Sequence, residues 1–342
     1  MRILIIHLRR VGDMVLTTPV LRALRRRFPK ARLEALVAAK SASVLAGNPD
    51  VDEVLMWHGG LGSHLRLSGE LRRRKYDAVI DFHSSARTSM LVAATGAAQR
   101  IGERTGTPAD LVYTTLLPPQ TGPRYVADKW LGFTAPLGTD EVSRRDFALE
   151  IGIGSAERAW AEREWQRLGL SGDQPVVAVS AVSKEYFKQW GLERWVKIAD
   201  AVQDDGYRVL LTHGPSERDQ AASVGAQMRS PPAWDHGETT PAQLAALYER
   251  CTLWIGNDGG PKHIAAAAGI PTVAVHRWTI GPEFTDTSQG SPHRYVERSP
   301  SGGCDLRCRS CSHLTCLAEV SVEDVLEVVR ASLRSAAPLI SR

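Results

Sequence analysis

The segment from Trp254 to Val275, WIGNDGGPKHIAAAAGIPTVAV, constrains the fold more than any other stretch of this chain. It reads as the end of a buried strand, a turn, a short alanine-rich helix and a second buried strand, the unit from which parallel α/β sheets are built. Gly259 and Gly260 stand at the mouth of that helix beside Asp258, with His263 about one turn in. A helix N-terminus exposes unpaired N–H groups and carries about +0.5 of a charge, so it draws anions. Glycines there let a phosphate approach the backbone closely. The spacing points to a phosphorylated ligand at the carboxyl end of a parallel sheet, where open α/β proteins bind ligands. An ordinary turn and N-cap would use the same residues, so the rest of the chain has to separate the two readings.

The remainder alternates strands and helices. RILIIHL predicts a strand, RRVGDM a loop, and VLTTPVLRALRRRF a helix whose proline lies near its start, where it is tolerated. Strands follow at ARLEALVA, VDEVLMW and YDAVIDF, with helices at 41–46, LSGELRRRK and ARTSMLVAATG. After the turn-rich stretch GLSGDQP the pattern resumes with PVVAVS, LERWVKIADAVQDDG, YRVLLTHG, ERDQAASVGAQM and LAALYERC. Ser321 with Glu323 and Asp324 predicts an N-capped last helix, expected to pack back on the first domain. A chain of 342 residues exceeds one small core. Two doubly wound domains facing across a cleft are expected, 1–170 and 171–342.

Composition narrows the class. At 43% hydrophobic and 23% charged the chain is a globular protein, and no apolar run approaches the ~20 residues of a spanning helix. The N-terminus lacks a signal-peptide pattern and reads as the first strand of a cytoplasmic protein. Basic residues concentrate early: residues 1–150 hold 22 Lys and Arg against 15 Asp and Glu, the rest 20 against 23. Helical spacing gathers Arg22, Arg25 and Arg26 on one side of the first helix. That face suits either solvent or an acidic partner such as a phosphorylated glycan or anionic lipid. Nucleic acid is disfavoured, because no binding module accompanies the charge.

Four of the five cysteines, Cys304, Cys308, Cys311 and Cys316, crowd one segment. In a cytosolic chain such clustering favours metal over disulfides, and four thiolates could complete a structural zinc site. The spacing is not that of paired CxxC ribbons, so iron–sulfur, a disulfide pair and free thiols also stay open. Cys251 stands apart as a small core residue.

Three further strand-end loops carry candidate chemistry. Gly12 and Asp13 follow the first strand, where Asp13 could also simply cap a helix. SAVSKEYFKQW offers Ser180, Ser183, Lys184 and Lys188 to an anion, and HGPSE offers Glu217 to ribose hydroxyls.

Taken together these segments resemble the ADP-heptose:lipopolysaccharide heptosyltransferases, glycosyltransferase family 9. The resemblance runs along essentially the whole chain: RILIIHLRRVGDMVLTTPVLRALRRRFP, DFHSSARTSMLVAATGAAQRIG, KQWGLERWVKIAD, HGPSERDQA and GNDGGPKHIAAAAGIPTVAV. It implies a GT-B fold, two Rossmann-like domains, with the acceptor on the first and the nucleotide sugar on the second. By the same resemblance Asp13 is the general base and Lys188 contacts the donor diphosphate. Glu217 holds the ribose, and Asp258, Gly259, Gly260 and His263 form the donor loop. A lysine and a helix N-terminus can offset a departing diphosphate without a metal ion, so no catalytic cofactor is expected. The implied reaction is inverting transfer of a sugar, heptose from ADP-heptose, to a lipopolysaccharide-core or other glycan acceptor at the inner membrane's cytoplasmic face. A GT-B enzyme with another donor, a nucleotide-sugar epimerase and a non-catalytic nucleotide-sugar-binding protein are the alternatives.

The chain also departs from the family's pattern. Gly259 replaces the usual Ser or Thr, and Gln189 and Gly191 replace an Arg and a Pro. HRWTIG from His276 replaces the loop beside the donor sugar, with Arg277 as a candidate phosphate contact.

Overall fold

The computed structural model describes residues 1–119, 122–139, 148–170, 172–304, 308–309, 311 and 314–336. It divides into two units, Met1–Gly152 and Ile153–Arg342.

The first unit is a parallel sheet of β1 (Arg2–His7), β2 (Arg32–Ala38), β3 (Glu53–Trp57), β4 (Ala78–Asp81), β5 (Gln99–Glu103) and β6 (Thr115–Leu117), in the order β3-β2-β1-β4-β5-β6. Its helices are α1 (Val11–Arg27), α2 (Gly60–Arg74), α3 (Ala86–Thr95) and α4 (Val126–Leu131). Ile3 to His7 of β1 are buried without alternation, as expected of a strand covered on both faces. The strand order reverses between β1 and β4, whose register sets Ile6 opposite Asp81. That switch point opens a crevice beyond the two carboxyl ends.

Helix α1 begins earlier than the sequence reading places it. Arg10 takes the extended N-cap conformation and Asp13 lies within the first turn, where a carboxylate suits the helix dipole. Pro19 is therefore interior, not near the start. Its missing N–H leaves the Val15 carbonyl one donor short, and the Thr18 hydroxyl donates to that carbonyl at 2.8 Å.

The second unit contains α5 (Ser155–Arg167), β7 (Val176–Ser180), α6 (Leu192–Asp204), β8 (Arg208–Leu211), α7 (Arg218–Gln227), α8 (Pro241–Tyr248), β9 (Leu253–Asn257), α9 (Gly260–Ala267), β10 (Thr272–Val275), α10 (Gly281–Phe284), β11 (Arg294–Val296), α11 (Thr315–Ala318) and α12 (Val322–Ala336). The strands form a parallel sheet in the order β11-β10-β9-β7-β8, reversing beside β7. Gly256 is required where β9 meets β7, because a Cβ there would lie 2.6 Å from the Ser180 carbonyl oxygen.

One expectation about organisation changes. The division falls at 152/153, not at 170/171, because α5 packs on α8: Arg158 pairs with Glu249 at 2.9 Å and the Arg250 guanidinium lies 4.9 Å over the Trp165 ring. Ser171 itself lies outside the described residues. Helix α12 packs within the second unit, where Val325, Val329 and Leu333 are buried in one core with Val177, Ile198 and Ile255. Its start matches the sequence reading: the Asp324 N–H donates to Ser321 Oγ at 3.0 Å and the Ser321 N–H returns to Asp324 Oδ2 at 3.1 Å.

Candidate active site

The carboxyl ends of β7 and β9 in the second unit gather most of the expected donor residues. β9 ends at Asn257, Asp258 follows, and Gly259 leads into α9, with Pro261 in the first turn where its missing N–H costs nothing. Gly259 is extended, a conformation open to any residue, and a Cβ there would meet only Pro261 Cδ at 3.6 Å and the Asn257 oxygen at 3.9 Å. Its glycine removes a hydroxyl without being demanded by the backbone.

Asp258 is buried and shared by two lysines. Lys188 Nζ lies 2.6 Å from its Oδ2 and Lys262 Nζ 3.0 Å from its Oδ1. Lys188 rides on the single 3₁₀ turn Tyr186–Lys188 after β7 and keeps its side chain 23% exposed, whereas Lys262 is sunk in the first turns of α9. Lys262 also donates to His276 Nε2 at 2.9 Å, with Thr285 Oγ1 at 3.5 Å. Burial raises the Asp258 carboxyl, but Lys262, with His276, Lys188 and His263 around it, holds it well below the usual carboxylate range. Burial lowers Lys262 to about 8 against the pull of Asp258. Burial and the neighbouring Lys262 keep His263 and His276 neutral at pH 7.

Asn257 ties the two loops together. Its Oδ1 accepts from the Trp190 N–H at 3.1 Å and the Trp195 indole N–H at 3.2 Å, and its Nδ2 donates to the Ala181 carbonyl at 2.8 Å. Gln189, standing where the family pattern has Arg, accepts from the Ser183 N–H at 2.7 Å and donates to Ala181 O at 3.1 Å. Asn257, Lys262, Gln189 and His276 are the site residues that sequence reasoning did not assign. All four were visible in the motifs, but their partners lie many residues away.

The other expected donor contacts fall differently. Ser180 is buried and its hydroxyl is committed to packing polarity, 2.7 Å from Thr212 Oγ1 and accepting from the Trp254 indole at 3.1 Å. Ser183 is half-buried beside Gln189. Glu217 accepts from the Gly214 N–H at 2.7 Å, holding the loop after β8. His213 and His236 stack beside that loop, ring centroids 4.6 Å apart. The Arg277 guanidinium is 2.6 Å from Cys308 Sγ and 5.6 Å over the Phe187 ring, so a protein thiol occupies the group expected to reach phosphate.

In the first unit, Gly12 is buried and Asp13 stands in the first turn of α1, after the carboxyl end of β1. His7 and His83, at the ends of the paired strands β1 and β4, face each other at 5.9 Å, and burial lowers both imidazoles, His83 to about 4. Arg9 and Arg87 add positive potential around His83.

Arg22 and Arg25 do not form the open basic face expected of them. Arg22 pairs with Asp50 and Glu150, and Arg25 with Asp52 at 2.7 Å. Nine and twelve residues beyond Asp13, they lie roughly 14–18 Å along the helix from it. Arg26 is exposed nearby. A different face combines charge with apolar surface: α2 exposes Leu61 (75%) and Leu65 (63%) beside Arg66, Arg72 and Arg73. Among the described residues none of those three arginines forms an ion pair.

Cys308 lies beside the loop after β10, against Arg277. Cys308 and Cys316 are buried, Cys311 is half-buried and accepts from the Leu314 N–H at 3.4 Å, and Cys304 is exposed. Among the described residues no three His, Cys, Asp or Glu side chains stand where they could hold one ion.

Residues 64–301 match the family model described as glycosyltransferase family 9 (heptosyltransferase). Lipopolysaccharide heptosyltransferase 3 of Escherichia coli K12 is 30% identical over 280 residues, 77% of this chain and 79% of that protein. Among solved structures, a glycosyl transferase family 9 protein from Veillonella parvula superposes with a TM-score of 0.84 at 25% identity, covering 98% of this chain and 97% of its own. E. coli ADP-heptose lps heptosyltransferase II superposes at 0.78 with 21% identity, covering 98% and 100%.

Proposed function

The chain belongs to glycosyltransferase family 9, the heptosyltransferases, and on that footing we propose that it transfers heptose from ADP-heptose to a hydroxyl of a lipopolysaccharide core or related glycan. The observation that carries the reading is the Lys188–Asp258 pair at the mouth of α9. A cation and a helix N-terminus converge there on the place where a diphosphate would lie, at the reversal point of a parallel sheet.

Inverting transfer passes through an oxocarbenium-like state, with charge building on the departing diphosphate and a proton leaving the acceptor hydroxyl. Lys188 and the N–H groups opening α9 stabilise the leaving diphosphate. Gly259 and Gly260 admit it to the backbone, Glu217 takes the ribose, and Asp13 of the first unit receives the acceptor's proton. Side-chain and backbone charge supply this stabilisation, so transfer is expected to persist in excess chelator. A structural zinc at Cys304, Cys308, Cys311 and Cys316 is a separate proposal resting on their clustering in the sequence. One equivalent of metal in the purified chain would support it, and a folded metal-free chain would overturn it.

The partners in this reading are a nucleotide sugar and an anionic glycolipid or phosphorylated glycan, met at the cytoplasmic face of the inner membrane; nucleic acid has no role. No helix among the described residues is long and apolar enough to cross a membrane. The exposed leucines and unpaired arginines of α2 suit contact with an anionic bilayer surface.

The deciding experiment is a thermal-shift panel of nucleotides followed by transfer assays with the nucleotide sugar that stabilises best. A ligand at ~100 times its dissociation constant adds ~2.7 kcal/mol, which is readily seen. Adenine selectivity with acceptor-dependent release of ADP is the expected result. Uridine or guanine selectivity would overturn the donor, and turnover without acceptor would replace transfer by epimerisation.

A further inference from the structure

The chemistry above makes no use of Lys262, although its ammonium is buried within hydrogen-bonding distance of the donor loop. The side chain is 2% exposed and meets Asp258 Oδ1 at 3.0 Å, His276 Nε2 at 2.9 Å and Thr285 Oγ1 at 3.5 Å. Asp258 is equally buried and gives its other oxygen to Lys188 at 2.6 Å. One carboxylate thus serves two ammonium groups. One belongs to the buried first turns of α9; the other sits on a short turn with its side chain partly exposed.

Removing one partner of a buried ion pair leaves an uncompensated charge and is strongly unfavourable. With Lys188 as its sole partner, Asp258 would hold that lysine back from any anion, because moving it would strip a carboxylate 3% exposed. With Lys262 in place, Asp258 stays compensated whichever way Lys188 points. The charge count agrees: Asp258 and the two lysines sum to +1, while Asp258 and Lys188 alone would sum to zero.

We propose that Lys262 is a positioning residue, the resident counter-ion of Asp258, which releases Lys188 to engage the diphosphate of a nucleoside diphosphate ligand. The inference rests on the donor reading given above. With Lys262 in place, His263 and His276 line the same pocket as neutral imidazoles, so of these three side chains Lys262 is the one that carries charge beside Asp258. Lys262, lowered by burial to about 8, still carries its proton at neutral pH.

The test is calorimetric binding of ADP and of adenosine to the full chain at pH 7, for the wild type, Lys262→Met and Asp258→Asn/Lys262→Met. Lys262→Met should weaken ADP by at least about tenfold while leaving adenosine within about twofold, since only the diphosphate needs Lys188. Adding Asp258→Asn frees Lys188 and should raise ADP affinity at least about threefold above that of Lys262→Met. A purely structural role for Lys262 predicts the opposite, equal losses for both ligands and no rescue, and either result overturns the proposal. So does unchanged ADP affinity in Lys262→Met. If that variant does not fold, Lys262→Gln, which keeps a polar head against His276, provides the same comparison. A wild-type chain that binds no ADP would overturn the donor reading itself, an outcome read before any variant is made.

Discussion

Asn257→Ala should cost the second unit about 3 kcal/mol of stability and weaken nucleotide binding with it. The substitution removes a 3%-exposed amide that serves three groups. The Ala181 carbonyl keeps a donor, because Gln189 Nε2 lies 3.1 Å from it. The Trp190 N–H and Trp195 Nε1–H lose the acceptor they share. A buried donor left unsatisfied costs about 1–3 kcal/mol, so two give roughly 2–6. In a unit of this size 1 kcal/mol moves the midpoint by about 2–4 °C, and 3 kcal/mol by about 6–12 °C. Trp190 is two residues from Lys188 in the sequence, so loosening its anchor should also lower affinity for ADP. Calorimetric melting and ADP titration measure both effects, and Trp195→Phe provides the control. That change removes one of the two donors, so it should cost less in the Asn257→Ala background than in the wild type, with a coupling of about 1 kcal/mol or more. A loss below about 1 kcal/mol, or strict additivity, would refute the reasoning.

Asp13→Asn should reduce transfer by about 10²–10⁴-fold, the usual worth of a general base, while leaving ADP affinity unchanged; full activity would remove Asp13 from the mechanism. Burial and the stacked His213 lower His236 to about 4. The unfolded chain therefore holds this proton and the folded chain does not between about pH 6.5 and 4, so stability falls as pH drops through that window. About 2.5 pH units correspond to roughly 3 kcal/mol at most, and His236→Phe should flatten the pH dependence of chemical denaturation there by up to that amount. Leu61→Ser/Leu65→Ser should lower binding to phosphatidylglycerol vesicles by about tenfold or more, each leucine being worth about 1.5–3 kcal/mol if fully buried, with ADP affinity unchanged. Arg22→Ala/Arg25→Ala should instead lower the melting temperature of the first unit and leave vesicle binding intact. The reverse pattern would return those arginines to the surface role first read for them.

The fold was legible wherever period and punctuation agreed. The run Ile3–Ile6, the Ser321–Asp324 cap and the strand–turn–helix at 254–275 appear as the sequence reading had them. The start of α1 was missed because Gly12 and Asp13 look like a loop, whereas Arg10 as N-cap already launches the helix. The site residues could be named only where the motif itself carried the chemistry, as at Asp258 and Lys188. Lys262 and Asn257 stand in the same motif, yet their roles depend on Thr285, His276 and Trp195, which come from other elements. Arg22 and Arg25 misled for the same reason. A local stripe of charge contains no sign that Asp50, Asp52 and Glu150 fold back onto it.

Gly259 has a consequence of another kind. Because its backbone is extended and a Cβ there would find ordinary contact distances, the absence of a side chain is a chemical choice rather than a folding requirement. Serine at this position would add a hydroxyl at the mouth of α9, beside the diphosphate site proposed above, without rebuilding the turn. On the donor reading proposed above, the grip on substrate and product would then vary at one residue while the scaffold stays constant. A transferase whose slow step is letting go of its nucleotide would gain turnover from the weaker hold, and one working at low donor concentration would lose by it.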